Sequence, residues 1–531
     1  MSLQDRRYIE TSPSKVMEGW RLDRLTPPSR LFGANGIRAG ADGRIYVAQV
    51  SGSTISAVDV DTGFVETISP KGGDIVAPDD LAFDEAGNLY ATEITEGRVS
   101  MRTPNGETRV VYGDIPCANP ITWHQGRLIA GECLPGGRIM ELDLHGGAPR
   151  VIASDIPMPN AMEVGPDGKL YFPVMGANEI WRVDLSGGAP EKVVGDLGVP
   201  DSVKFDADGF IVSTQVASGQ VLRIDPSTGD KTVLANVAPG LDNLTFVGRR
   251  LFVSSISGEI TEVLSEGKLR QVVPEGFNWP LGLAMGEDGA LFVADGPYCY
   301  TMSTDGARRL AGMLFTPGSP GYVRGVAASG SGAYIVTTAN GQVSNWRPAE
   351  QAHDVLAAGY DRLYGVAVAP DGAIVFAEAG AGRVHALKGG NVEVLASGLN
   401  EPTGVAITPD GDCLVAEEGA GRIVKASGGR VETVLDGLRQ PQGLLVLGDT
   451  LYVVDAGAKQ VLAYNMKSKE IRILASDLPL GAPVGVTPKF LKAMLPLSGP
   501  MGPFAGIAAG ANGALYVSGD AEGSILALHP A

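Results

Sequence analysis

The chain has 531 residues, 44% hydrophobic and 19% charged, with 73 glycines and 35 prolines; that is too long for one ordinary domain and rich in tight turns, which favours an all-β protein. Forty-two basic against sixty acidic residues leave a net charge of −18, which repels phosphate backbones and anionic lipid and excludes nucleic acid and membrane surfaces as favoured partners. The first residues lack an apolar leader core, no stretch of about 18 apolar residues follows, and Cys117, Cys133, Cys299 and Cys413 form neither CxxC nor a disulfide framework, so a cytoplasmic protein with reduced thiols is expected.

Residues 19–25 alternate like a strand ahead of the first repeat, so residues 1–30 are read as an N-terminal segment that supplies a closing strand. From residue 31 a unit of about 40 residues recurs, each with four short strands and a turn such as Asp42-Gly43, Asp167-Gly168 or Asp208-Gly209. Twelve such units are present. Four-stranded units at this period are propeller blades, and closed propellers have about four to eight of them. The predicted fold is therefore all-β, tandem six-bladed β-propellers with twelve four-stranded blades in total.

The residue before each first strand lies at one mouth of a propeller channel. In the first six units these entries read ANGI, PDDL, ANPI, PNAM, PDSV and LDNL, which brings Asn35, Asp79, Asn119, Asn160, Asp201 and Asp242 together. The next six read PLGL, VRGV, LYGV, PTGV, PQGL and FAGI, with Leu281, Arg324, Tyr364, Thr403, Gln442 and Ala505 at the same point. The change falls at residue 278, so 31–278 is read as propeller 1 and 279–531 as propeller 2. An insertion, 480–503, precedes the last blade; its middle, 488–495, is expected as a short helix ended by Pro496, placed at the mouth of the second ring as a cap, a lid or a contact. The last unit stops after three strands, and the N-terminal strand is expected to complete it.

Several carboxylates around one narrow channel repel unless a cation sits among them. Carboxylates with amide carbonyls make a hard-oxygen site that suits Ca2+ best, with Mg2+, Mn2+ or Zn2+ as alternatives. Second-strand ends carry acids more often in the second ring (Asp295, Glu378, Glu417, Asp455) than in the first, so most serve the neighbouring loops. Glu93 and Glu132 are kept as candidate ligands, because a site built on Asn takes a further carboxylate. No GxSxG elbow occurs, and neither His124 nor His145 falls at the first mouth, which leaves a metal with a carboxylate base.

The segments PNAMEVGPDGKLYF, PDSVKFDADGFIVSTQVASGQVLRIDP and CANPITWHQGRLIAGE resemble three successive blades of the senescence-marker-protein/gluconolactonase family, which includes Drp-type lactonases, over residues 30–275. The resemblance implies a six-bladed propeller that holds a divalent metal through a Glu and several Asn and Asp side chains and hydrolyses lactones or esters. Matched residue by residue, Asn119, Asn160 and Asp201 fall on the family's two Asn and its catalytic Asp, whereas the family's Glu falls on Asn35-Gly36. Either Asp79, Glu93 or Glu132 stands in for it, or the metal is bound more weakly. The second half resembles generic NHL-type blades through YVVD and VFAEAGAGRV.

The expected function is divalent-metal-dependent hydrolysis of a small-molecule lactone or related ester in propeller 1. Asn119, Asn160, Asp201, Glu93 and Glu132 are the candidate metal ligands, Asp201 or Asp79 the base, and Asn35, Asp242 and Asn243 the substrate contacts. A propeller lyase or synthase, or a non-catalytic binding protein, stands as the alternative.

Overall fold

Aspartate-led turns make the hairpins. In the fifth unit Asp206 Oδ1 accepts the backbone N–H groups of Asp208 and Phe210, both at 3.0 Å, and Gly209 takes φ +83°, a conformation that glycine adopts without steric cost. The loop joins strands Pro200–Phe205 and Ile211–Gln215, which are buried along almost their whole length, while the outermost strand of that sheet, Lys231–Asn236, is mostly exposed. Inner strands covered on both faces need continuous apolar or small residues, and the outer strand carries the charge.

The computed structural model describes residues 7, 8 and 12–531. Among these the chain forms twelve sheets, eleven of four strands and one of five, and no α-helix. The apolar cores lie between neighbouring sheets: Tyr171, Ile180 and Val194 of the fourth pack with Val203, Ile211 and Leu222 of the fifth. Two units result, one of Arg30–Asn278 with Val486–Pro496, the other of Trp279–Gly485 and Leu497–Ala531 with the described residues up to Ser29.

Six sheets make up the first unit. Hydroxyls on the second strands of three blades tie them to the next: Thr92 Oγ1 donates to the Asn119 carbonyl at 2.8 Å, and Thr214 Oγ1 to that of Asp242. Ser254 Oγ, in the sixth sheet, donates at 2.8 Å to the carbonyl of Asn35, ahead of the first. The ring is thereby closed.

In the second unit the final sheet runs in the order Trp20–Arg24, Ser524–Pro530, Leu515–Gly519, Ile507–Ala509, with Trp20 opposite Pro530 and Arg24 opposite Leu526. The N-terminal strand thus covers the edge left by the truncated last repeat, and Arg24 Nε reaches the fully buried Glu522 at 2.7 Å. Gly506 N donates to Leu281 O at 3.2 Å and closes this ring.

The insertion departs from expectation. Residues 488–495 hold no helix, and Val486–Pro496 packs within the first unit while Leu497 onward stays with the second. Seven residues between Pro488 and Pro496 are too few to sustain an isolated helix, and burial of Leu491 and Met494 fixes an irregular path instead.

Candidate functional site

Every innermost strand of the first unit that contains its entry residue is bulged at that point. Pro78 pairs with Glu93 and Leu81 with Ala91, so Asp79 and Asp80 together oppose Thr92; the same irregularity falls at Asn119-Pro120, Asp201-Ser202 and Asp242-Asn243. A bulge breaks the alternation of the strand and re-aims its side chains. Asp79, Asn119, Asn160, Asp201 and Asp242 are buried to 4–7% exposure, and Asn35 is half-buried.

The six form an interleaved acid–amide layer. Asn160 Nδ2 donates to Asp201 Oδ2 at 2.9 Å, and Asn35 Nδ2 to Asp242 Oδ2 at 3.3 Å. The Asp79 carboxylate and the Asn119 amide have no hydrogen-bond partner among the described residues. Burial, and then the charge of Asp80, push Asp79 up to about 8. Burial first, and then the neighbouring carboxylates, hold Asp201 and Asp242 well above the usual aspartate range. Burial and neighbouring carboxylates thus disfavour the charged form of all three acids, and a nearby positive charge would favour it.

Below that layer lies a second one that the strand pattern did not disclose. Asp80 accepts from Leu81 N at 2.8 Å, Ile121 N at 3.3 Å and Asn243 Nδ2 at 3.1 Å. Burial raises its pKa against the opposing pull of Arg38 and Lys204. Arg38, from the first blade, donates to Leu81 O at 2.8 Å, Ile121 O at 3.1 Å and Glu163 Oε2 at 3.1 Å, so it bridges the second, third and fourth blades. Lys204 Nζ meets the same Glu163 oxygen at 2.9 Å. Burial raises Glu163, but Lys204 and Arg38 outweigh it and the carboxyl ends below its ordinary value. The guanidinium makes a floor under the mouth. Arg38, Glu163 and Lys204 do show in the sequence as charges inside otherwise apolar inner strands.

Three expected site residues have other duties. Glu93 accepts Val76 N at 2.7 Å and the Arg98 guanidinium at 2.8 and 2.9 Å. Glu132 accepts Arg138 N at 3.0 Å, Arg138 Nε at 2.9 Å and Arg138 Nη2. Both acids clasp loops beside the mouth and leave no oxygen turned to a ligand. Asn243, one residue past its entry, is 1% exposed and bonded to Ser202 Oγ at 2.7 Å, Leu244 N at 2.7 Å and Asp80, so it belongs to the lower layer rather than to a substrate surface. His124 ends the strand Ala118–His124 opposite Arg127, and His145 sits in an exposed turn.

Among the described residues, no three His, Cys, Asp or Glu side chains converge closely enough to ligate a metal by themselves. The donors that do converge alternate carboxylate with amide, and the Oδ1 atoms of Asn160 and Asn35 accept Ala161 N at 2.7 Å and Val50 N at 3.1 Å. The Asp79 carboxylate and the Asn119 amide carbonyl, with Asp201 and Asp242 beside them, offer oxygen donors of the kind a hard divalent cation takes.

Twelve blades in two rings define a tandem β-propeller protein. Residues 21–257 match the family model described as SMP-30/Gluconolactonase/LRE-like region, so the first unit is gluconolactonase-like. No curated protein matches the chain. Solved structures similar to it include a streptogramin B lyase (19% identity, 52% of this chain and 95% of that one, TM-score 0.39). Virginiamycin B lyase from Staphylococcus aureus is similar at 18% identity, over 53% and 96% of the two chains, with a TM-score of 0.38. A chain solved as a suspected gluconolactonase is similar at 19%, over 48% and 95%, also with 0.38. No helix among the described residues is long and apolar enough to cross a membrane.

Proposed function

We propose that the first unit is a divalent-metal-dependent hydrolase of a lactone or related ester. The observation that carries this reading is the unpartnered, buried Asp79 carboxylate beside Asp201 and Asp242, inside the stretch that matches the gluconolactonase model. Asn119, Asn160 and Asp201, completed by Asp79 or Asp242, would hold the cation, Ca2+ by preference for its oxygen donors. When bound, such an ion supplies Lewis acidity toward a carbonyl and acidity to water.

The chain's own groups do the rest. Asp201 is oriented by Asn160 Nδ2 at 2.9 Å. Asp79, with no donor on its oxygens, takes the proton of the attacking water and returns it to the leaving alkoxide. Arg38 and Lys204 hold the Glu163 carboxyl below its ordinary value and oppose the rise that burial imposes on Asp80. A lyase that relies on histidine finds none at this mouth, since His124 and His145 lie elsewhere. Four free, buried cysteines accord with a reducing, cytoplasmic setting.

A panel of lactones and aryl esters, assayed with and without chelator, tests the reading. It predicts turnover of at least one lactone, lost on chelation and restored by a divalent cation. Full activity in chelator, or no hydrolysis of any member with cation present, contradicts it.

A further inference from the structure

The strap Val486–Pro496 is fastened to the first unit at loops on the mouth side. Lys492 Nζ meets Glu96 Oε2 at 2.7 Å, and Cys117 Sγ donates to Leu495 O at 3.4 Å. Val486 and Thr487 lie against Gly72, where an added Cβ would stand 3.0 Å from Val486 Cγ1 and 3.2 Å from Thr487 O. Each anchor leads to the site: Gly72 into the loop before Asp79, Glu96 out of the strand that ends in Glu93, and Cys117 to Asn119 two residues on.

Leu491 and Met494 are buried and hold the strap down, yet Leu495, its carbonyl bonded to Cys117 Sγ, leaves its side chain 65% exposed. An apolar side chain pinned at a rim without burial is available to a ligand. Charge at the mouth points the same way. Among the described residues its layer holds Asp79, Asp201 and Asp242 and no cationic side chain, the cations below it are committed to Glu163 and Asp80, and of the strap's two lysines Lys492 is paired with Glu96 and Lys489 is exposed to solvent. Even with a divalent ion present, these acids disfavour a second anion there.

We propose that Leu495 walls the mouth of the first unit and makes it selective for uncharged lactones or esters that carry an alkyl substituent. The inference rests on the hydrolase reading above and names its substrate class. In that arrangement the alkyl group packs on Leu495 while the ring carbonyl faces the acid–amide layer.

Full-length wild type, Leu495→Ala and Leu495→Lys are assayed on three γ-lactones: unsubstituted, octyl-substituted and carboxyalkyl-substituted. The ratio of kcat/KM for the octyl lactone over the unsubstituted one falls about tenfold in Leu495→Ala, through KM. In Leu495→Lys the carboxyalkyl lactone gains relative to the octyl one. Unaltered ratios in both variants overturn the proposal while leaving the hydrolase reading intact. If wild type turns over none of the three, the hydrolase reading fails, and calorimetric titration of the octyl lactone decides the wall: weaker binding to Leu495→Lys than to wild type supports it, and equal or undetectable binding to both overturns it.

Discussion

The two units share a scaffold and differ at two residues per blade. In the second unit the entries are followed by glycine six times, Gly282, Gly325, Gly365, Gly404, Gly443 and Gly506, and a Cβ on any of them would come within 1.8–2.7 Å of the carbonyl of the next blade's entry residue. The blades close in until only a cavity of about 40 Å³ remains, lined by these glycines, their apolar neighbours and Phe504. At the entry level the buried Arg324 lies over Trp279 and Tyr364, at 5.4 and 5.0 Å, and donates to Gly502 O. The first unit has side chains at five of the six following positions, Gly36 being the exception. The same bulge therefore produces either a narrow glycine-lined hub or a mouth of acids and amides, and the choice follows mainly from whether the second residue of the pair it exposes is glycine.

The widest separation between the units is expected in catalysis. Asp201→Ala should lower kcat by about 10³-fold, because it removes an acid from the reacting layer, whereas Thr403→Ala, whose hydroxyl only meets Pro441 O at 3.1 Å, should leave turnover at the wild-type level; steady-state kinetics on the same lactone compares them. Equal losses would erase the distinction. Stability should show the reverse preference. Gly404→Ala puts a Cβ 1.8 Å from Gln442 O and should cost about 3 kcal/mol by overpacking, while Ala161→Gly, at the equivalent place in the first unit, should cost about 1 kcal/mol, both read by denaturant unfolding.

A smaller effect sharpens the electrostatic side. Asp79, pushed to about 8 by burial and then Asp80, binds its proton more tightly in the folded than in the unfolded chain. That contribution is complete below the ordinary aspartate range and is lost as pH rises through about 8. Chelated protein should therefore lose thermal stability from about pH 5 to pH 8, and a divalent cation should restore more of it at the upper end. A Tm that climbs steadily over that interval in chelator would contradict the assignment. Least of all should change with His124→Gln or His145→Gln, since neither ring reaches the mouth; kcat with metal bound should stay at the wild-type level, and a hundredfold loss, about 2.7 kcal/mol, would put a histidine in the mechanism.

What was legible in the residues followed from repetition. Asn35, Asp79, Asn119, Asn160, Asp201 and Asp242 stand at one phase of a recurring unit, and equal phase becomes equal position when blades close on an axis. The alternation of Trp20–Arg24 foretold a strand, found opposite Ser524–Pro530. Asp80 escaped notice because strict period-two alternation sends it to the far face, and only the bulge brings it round. Glu93 and Glu132 misled because a carboxylate looks alike as ligand or as clasp; Arg98 and Arg138, five and six residues later, decide between the two. The strap's path depends on burial of Leu491 and Met494 against distant loops, which no local pattern encodes.

The central claim is that the acid–amide layer of the first unit, and not the hub of the second, takes a divalent cation. Calorimetric titration of chelator-stripped full-length protein with Ca2+ tests it most directly, run on wild type, Asp201→Ala and Thr403→Ala in parallel. The account predicts a single Ca2+ per chain in wild type and Thr403→Ala and none in Asp201→Ala. Equal uptake by wild type and Asp201→Ala would contradict it.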